Sequence, residues 1–88
     1  MEITFDPNKD QANITKHGVS LVDAAKIEWE KLWARPDDRK DYGEARMIGM
    51  AYIGERLYTL VYVDRNGSLR VISLRKSNSR VVHQYAKA

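Results

Sequence analysis

Three arginines in the second half of the chain are the side chains best suited to bind phosphate groups. Arg46, Arg70 and Arg75 all fall in segments predicted to be strands. A guanidinium group presents a rigid fork of N–H donors that matches two phosphate oxygens, and a strand holds such a group firmly. Lys76 follows Arg75 at the predicted junction between the last strand and the last helix, so these two residues are the preferred phosphate clamp.

The alternation of side chains along a strand limits how the arginines can combine. Arg70 and Arg75 are five positions apart, so they should point to opposite faces unless a bulge or a strand end intervenes. The alternative role for Arg70 is a structural salt bridge, with Glu44 or Glu55 as its partner.

His17 and Glu44 are the candidates for proton transfer. The unperturbed pKa of histidine is about 6.5, so His17 could exchange a proton near neutral pH. His17 also precedes Gly18, a predicted helix end, where an imidazolium would favour the negative end of the helix dipole instead. Glu44 could serve as a general base if burial raised its pKa, and an exposed carboxylate in a turn is the alternative.

Lys9, Lys16 and Arg80 are the predicted contacts to a nucleic-acid backbone. Lys9 and Lys16 lie seven positions apart, about two helical turns, so they share one face of the predicted first helix with Asn13 between them. Arg80 lies in the predicted last helix. An ordinary solvated helix face is the alternative for the lysine stripe.

The basic residues are concentrated in the second half of the chain. Residues 1–45 hold seven basic and ten acidic side chains, whereas residues 46–88 hold eight basic and two acidic ones. A surface that binds a polyanion would produce such asymmetry, because each cation that contacts a phosphate releases condensed counterions. A basic but solvated surface is the alternative.

Length and composition exclude several classes of protein. The 88 residues allow one domain, spanning 1–88. No apolar run reaches the roughly 18 to 20 residues of a membrane span, and the first residues do not resemble a signal peptide, so a cytoplasmic protein is expected. The chain has no cysteine and only two histidines, so we expect neither a disulfide nor a usual zinc site. We also expect that the protein needs no metal or organic cofactor.

The first half of the chain has the pattern of a strand followed by two helices. Residues 2–5 alternate as in a short strand, and Asp6-Pro7 should cap a helix that ends at His17-Gly18. A second helix is expected from Ser20 to Trp29, on a broad apolar face. Residues 32–43 are predicted to be a charged loop beside a possible short strand.

The second half has the pattern of a β-meander followed by a helix. Alternation begins at Arg46, residues 54–55 turn the chain, and residues 57–63 are rich in β-branched and aromatic side chains. Asn66-Gly67 is a hairpin signal that leads into a third strand over residues 69–74. A last helix is expected over residues 78–86. The predicted fold is therefore α+β, an antiparallel sheet flanked by helices in the order β-α-α-β-β-β-α.

Each of five aromatic residues has two possible roles. Tyr52, Tyr58 and Tyr62 could stack on unpaired bases, although packing within the sheet explains them more simply. Trp29 and Trp33 either seal the core or form an apolar patch for a partner protein.

Four segments, in order and at matching spacing, make the chain resemble the BrnT family of toxins. They span nearly the whole sequence: Phe5-Asp6 with Lys9 and Asn13; Lys16-His17-Gly18-Val19; Gly43-Glu44-x-Arg46 followed by Ile48-Gly49; and Arg70-Val71-Ile72-Ser73-Leu74-Arg75-Lys76.

This resemblance implies a RelE-like fold and an RNA-cutting activity that stops translation. It also implies a cognate antitoxin of the BrnA type with a ribbon-helix-helix segment, through which the complex would contact DNA. RNA cleavage without a metal needs a base for the 2′-hydroxyl, cations for the phosphorane oxygens and an acid for the leaving oxygen. Arg75, Lys76, Arg46, Arg70, His17 and Glu44 are the candidates for these roles.

The sequence departs from the family pattern at two positions. Val81 stands where members usually carry Glu in the last helix, and Leu21 stands where Phe is common. If that carboxylate is needed for catalysis, the alternative function is a catalytically inactive variant that binds nucleic acid or the antitoxin.

Overall fold

The computed structural model describes residues 2–39, 41 and 43–87, with side chains described up to residue 83. Within these described residues, two α-helices, two short 3-10 helices and five strands follow one another. In order they are β1 (Glu2–Thr4), α1 (Pro7–His17), the 3-10 helices Leu21–Lys26 and Trp29–Lys31, β2 (Trp33–Pro36), β3 (Met47–Ile53), β4 (Arg56–Arg65), β5 (Ser68–Lys76) and α2 (Ser79–Lys87).

Helix α1 begins and ends where its capping residues predict. The Asp6 carboxylate accepts a hydrogen bond from the Asn8 backbone N–H at 2.8 Å, and Pro7 occupies the first turn. Gly18 adopts the left-handed conformation (φ 72°) and donates its N–H to the Ile14 carbonyl at 2.8 Å. The cap holds His17 in the last turn of the helix.

The predicted second α-helix is wrong in type, because residues 21–26 form a 3-10 helix. Ser20 caps it as expected, its hydroxyl accepting from the Val22 N–H at 3.3 Å. Leu21, Ala24 and Ile27 recur every three residues and are all buried against the sheet. This three-residue period matches a 3-10 helix, and packing of these side chains takes precedence over the broader α-helical pattern.

The five strands form one mixed sheet in the order β1-β5-β4-β3-β2. The pairs β2–β3, β3–β4 and β4–β5 are antiparallel, whereas β1 pairs parallel to β5. The expectation of a purely antiparallel sheet is therefore wrong at one edge. Short turns force the meander strands to be antiparallel, but β1 joins the free edge of β5 from a distant part of the chain.

The residues predicted to be a loop beside a possible short strand contain β2. Its register with β3 places Trp33 opposite Met50 and Arg35 opposite Ile48. Pro36 ends the strand. A proline is tolerated there because β2 lies at the edge of the sheet, where its missing N–H costs no hydrogen bond between two strands.

One face of the sheet carries the hydrophobic core beneath the 3-10 helices. Its fully buried side chains include Leu21, Leu60, Val71 and Leu74. Tyr58 and Tyr62 also pack on this face, so the packing interpretation of these two tyrosines is confirmed. Trp29 contacts Tyr62 edge to face, with ring centroids 5.7 Å apart, and its Nε1–H donates to the Ala24 carbonyl. The opposite face of the sheet is here called the outer face, and it carries Trp33, Met50, Thr59 and Arg75.

Asn13 attaches α1 to the part of β5 that β1 does not cover. Strand β1 pairs with residues 68–70 only. Further along β5, the buried Asn13 side chain donates to the Leu74 and Val19 carbonyls, each at 2.8 Å, and accepts from the Leu74 N–H at 3.2 Å. The amide thus takes the place of a neighbouring strand and fixes the end of α1 beside β5.

None of the described helices is long and apolar enough to cross a membrane.

Candidate active site

A β-bulge in β5 determines which side chains reach the outer face. Val61 pairs with Ser73 and Tyr62 pairs with Val71, so Ile72 has no partner in the register. Val71 and Leu74, three residues apart, both point into the core as a result. Arg70 and Arg75 therefore both lie on the outer face. We expected them on opposite faces unless a bulge intervened, and the bulge at Ile72 is that exception.

Two adjoining depressions lie on the outer face around Arg75. The first, here called the basic hollow, has a volume of about 220 Å³ and is lined by Lys16, His17, Arg39, Ile48, Thr59, Val61, Ser73 and Arg75. The second, here called the apolar pocket, has a volume of about 300 Å³ and is lined by Trp33, Arg35, Ile48, Met50, Thr59, Arg75 and Val81. Arg75, Ile48 and Thr59 form the wall that the two depressions share.

Arg75 is half-buried on this shared wall, and within the described part of the chain its guanidinium has no hydrogen-bond or ion-pair partner. Its neighbour across the sheet is Thr59, whose hydroxyl is 2.8 Å from that of Ser77. A partly desolvated guanidinium without a carboxylate has its donors available for an anionic ligand.

Arg39 enters the basic hollow from the loop after β2. The buried Asp37 carboxylate, with its side chain 1% exposed, accepts from Arg39 Nε at 2.7 Å and from Nη2 at 2.8 Å. The Asp37 N–H in turn donates to the Arg46 carbonyl at 2.8 Å, which ties the loop to the start of β3. This two-point ion pair fixes the direction of Arg39 while leaving most of its side chain exposed.

His17 lies in the basic hollow with a pKa lowered from the ordinary value. Partial burial disfavours the imidazolium most, and the positive charges of Lys16 and Arg75 disfavour it further. The lowered pKa favours the neutral imidazole, the form that can accept a proton. The structure places His17 in the last turn of α1, as its position before Gly18 predicts, but the lowered pKa favours the neutral imidazole over an imidazolium cap.

Lys9 and Lys16 share one face of α1, as their spacing predicts. With Asn13 and His17 they line a groove between α1 and β5, whose other wall is Ile72 and Ser73. Lys16 borders both this groove and the basic hollow, so the groove leads from the helix stripe towards Arg75.

The structure does not bring Arg75 and Lys76 together. Both lie within β5, where neighbouring residues point to opposite faces, and Lys76 is exposed. Arg80 is exposed in the first turn of α2. Neither residue lines the basic hollow, where Lys16 and Arg39 are the cations beside Arg75.

Glu44 is an ion-pair partner and not a base with a raised pKa. Its carboxylate accepts from Arg65 Nη2 at 3.1 Å and from Arg46 Nε at 3.4 Å. These two arginines, Arg65 foremost, hold the pKa of Glu44 below its usual range. The structure therefore agrees with the alternative, an exposed carboxylate, and not with a base whose pKa is raised by burial. The partners of Glu44 are Arg46 and Arg65, and the salt bridge to Arg70 that the sequence suggested does not form with Glu44.

Arg46 and Arg70 lie towards the other end of the outer face. Arg70 pairs with Val63, four residues along β4 from Thr59, and Arg46 precedes Met50 by four residues. A strand rises about 3.3 Å per residue, so both arginines are about 13 Å along the sheet from the row of Arg75. Within the described residues, Arg70 has no ion-pair partner, Glu55 included.

Sequence reasoning missed Arg35 and Arg39, which border the two depressions. Both lie in the segment taken for a charged loop, and neither alternation nor helical spacing marks them. The presence of Arg35 in β2 and the ion pair of Arg39 with Asp37 appear only in three dimensions. Across the described residues, no three His, Asp or Glu side chains cluster in a way that could hold a metal ion.

Fold and site together define a small α+β protein with a cationic hollow on one face of its sheet. The model of the family described as "Ribonuclease toxin, BrnT, of type II toxin-antitoxin system" matches residues 5–80. The chain therefore belongs to the BrnT family of ribonuclease toxins. A search of curated proteins found no match. The matched residues include every described side chain that lines the basic hollow, whereas Val81 lies just beyond them.

Proposed function

We propose that this protein is an endoribonuclease that cuts RNA at the basic hollow without a metal cofactor. The observation that carries the proposal is the Arg75 guanidinium, which has no ion-pair partner among the described residues and lies beside His17, whose pKa is lowered. One group can bind a phosphodiester and the other can accept a proton near neutral pH. The family membership supplies the substrate class, and we include the RelE-like fold in the proposal.

In the proposed reaction, the neutral His17 imidazole takes the proton of a ribose 2′-hydroxyl. The 2′-oxygen attacks the adjacent phosphorus, and Arg75 donates hydrogen bonds to the phosphorane oxygens as their negative charge increases. Lys16 gives a proton to the leaving 5′-oxygen. The products are a 2′,3′-cyclic phosphate and a 5′-hydroxyl end, so the bonds broken and formed balance without water or an oxidant. Arg39, fixed by Asp37, contributes positive charge at the rim.

The test is cleavage of purified RNA by the purified protein in the presence of a metal chelator. We expect Arg75→Ala to lower the cleavage rate by roughly 10²- to 10³-fold, the usual effect of losing one donor to a transition-state oxyanion. Arg70→Ala is the matched control, because it removes the same group from the same face of β5 about 13 Å away. Equal rates for the two variants would place the chemistry outside the basic hollow.

The same measurement with His17→Ala separates proton transfer from phosphate binding. A general base contributes roughly 10²- to 10⁴-fold, so the rate should fall within that range while RNA affinity changes little. An unchanged pH dependence of the remaining activity would remove His17 from the proposed reaction.

We further propose that the cleavage inhibits translation in the cytoplasm and that a BrnA-type antitoxin neutralises it. Membership in a type II toxin–antitoxin family supports an antitoxin partner in general. The antitoxin would carry the ribbon-helix-helix segment, and the complex would contact DNA only through it. A neighbouring reading frame of that kind, whose product suppresses growth inhibition by this protein, is the expected result. A neighbouring product that leaves growth inhibition unchanged would contradict the pairing.

A specific observation keeps one alternative open, namely a catalytically inactive variant that only binds nucleic acid or the antitoxin. Val81 lines the apolar pocket together with Arg35 and Arg75, at the position where family members usually carry Glu. A carboxylate there would lie close to both guanidinium groups. If the present chain leaves RNA intact whereas Val81→Glu cuts it, the alternative is correct.

A further inference from the structure

We infer that the apolar pocket is a subsite for one unpaired nucleobase of the RNA, with Trp33 as the residue on which the base stacks. This inference rests on the proposed function, because the base belongs to the nucleotide whose phosphate lies in the basic hollow. It assigns to Trp33, Met50 and Ile48 a role in substrate recognition.

The register of the sheet supplies the first part of the argument. One row of side chains crosses four strands, and each member is paired with the next: Arg75, Thr59, Met50 and Trp33. Neighbouring strands are about 4.8 Å apart, so the row extends about 14 Å from the guanidinium side to the indole side. A phosphate at Arg75 thus has an apolar floor beside it and an aromatic wall at the far end.

The chemistry of the lining supplies the second part. The pocket is lined by the apolar side chains of Ile48, Met50 and Val81. Trp33, at the edge of the sheet, is 39% exposed. A base has a flat π-surface, which stacks on an indole and packs on aliphatic side chains. Thr59 adds a hydroxyl to the wall, paired with that of Ser77. Only an unpaired base can enter such a recess, which favours single-stranded RNA.

Charge favours a nucleotide over an apolar protein segment as the occupant. Arg35 and Arg75 both border the pocket, and within the described part of the chain neither has a carboxylate partner. An apolar side chain from a partner protein would leave both guanidinium groups unneutralised. A nucleotide supplies phosphates for the guanidinium groups and a base for the apolar floor in one unit. The shared wall makes the pocket continuous with the basic hollow.

The test compares the binding of adenosine 5′-monophosphate and ribose 5-phosphate, which differ only by the base, to the full-length protein by calorimetry. Stacking of a base on an aromatic side chain accounts for a difference of roughly 5- to 150-fold in affinity. We expect the nucleotide to bind more tightly by a factor in that range. Trp33→Ala should abolish the difference without changing the affinity for ribose 5-phosphate, and Trp33→Phe should retain most of it.

Ile14→Ala is the matched control, because it removes a similarly exposed apolar side chain from α1, away from the pocket. It should leave both affinities unchanged. Equal binding of the two compounds to the wild-type protein would overturn the inference. A Trp33→Ala variant that keeps the difference between the two affinities would also overturn the inference. If that variant instead lost affinity for the antitoxin, the pocket would be a docking site for protein.

Failure of this inference is distinguishable from failure of the proposed function. Normal RNA cleavage by a protein that binds the two compounds equally refutes the subsite alone. A base-dependent difference that disappears in Trp33→Ala, in a protein that leaves RNA intact, refutes the cleavage activity and retains the subsite.

Discussion

Replacement of Asn13 by alanine should destabilise the protein strongly, because one side chain satisfies three backbone groups. Asn13 donates to the carbonyls of Val19 and Leu74 and accepts from the Leu74 N–H. A hydrogen bond contributes about 1 kcal/mol net, and a buried group left without a partner costs about 1–3 kcal/mol. Because the surrounding structure can relax in part around the missing side chain, we expect a loss of about 2–4 kcal/mol.

Such a loss is a large share of the stability of a domain this size. At roughly 0.05–0.15 kcal/mol per residue, the whole chain is expected to be stable by about 4–13 kcal/mol. The variant should therefore unfold at a clearly lower urea concentration, with an unchanged slope if it remains two-state. Because Asn13 also holds α1 beside β5, chemical shifts of Lys16 and His17 should change in the folded variant.

The matched control is Asn8→Ala, the same substitution at an exposed position of the same helix. It changes helix propensity without removing a tertiary hydrogen bond and should alter stability by about 0.5 kcal/mol or less. Asn13→Asp keeps the acceptor for the Leu74 N–H and loses both donations, so it too should be destabilising. Similar unfolding midpoints for Asn13→Ala and Asn8→Ala would show that the Asn13 hydrogen bonds do not stabilise the fold.

Three further predictions follow from the local geometry. Gly18→Ala should lower the free energy of unfolding by roughly 1–2 kcal/mol in urea, because φ is 72° and an L-residue is strained in this left-handed conformation. The cost comes from the backbone alone, since a Cβ there would meet nothing within 4 Å, and Gly18→Asn should cost less. Arg65 and Arg46 lower the pKa of Glu44, so this carboxylate stabilises the fold above its ordinary pKa of 4.5 and loses that effect as pH falls through the folded value. Glu44→Gln should thus lower the urea midpoint at pH 7 and leave it unchanged once the carboxyl is protonated; the reverse pattern would contradict the ion pair. Both the wild-type protein and Val81→Glu should inhibit growth when produced without antitoxin, whereas inhibition by Val81→Glu alone would identify the present chain as inactive.

The parts of the fold that the sequence predicted are those governed by local signals. Asp6, Pro7 and Gly18 determine the ends of α1 through capping and backbone conformation. The Asn66-Gly67 turn and the alternation in β3 to β5 likewise predicted the meander. Where tertiary packing decides, prediction failed. Residues 21–26 form a 3-10 helix because Leu21 and Ala24 pack on the sheet, and β1 pairs parallel to a strand far along the chain.

The candidate site was predictable in its residue types but not in its grouping. Arg75, His17 and Lys16 were named from chemistry and spacing, and the structure places all three around the basic hollow. The bulge at Ile72 has no signature in the sequence, since neither glycine nor a turn residue marks it. It reverses the alternation of β5 and so brings Arg75 to the outer face, while Arg39 depends on an ion pair with Asp37 that forms only after folding.

The most direct test of the central claim, that a phosphodiester lies between Arg75 and His17, is an NMR titration of the His17 imidazole with and without an uncleavable 2′-deoxy dinucleotide. In the free protein the pKa should lie below the ordinary 6.5, and in Arg75→Gln it should be higher, because one of the neighbouring positive charges is gone. Binding of the dinucleotide should raise the pKa of His17 in the wild-type protein, since the phosphate neutralises the positive charge of Arg75. A dinucleotide that binds and leaves the titration of His17 unchanged would contradict the account.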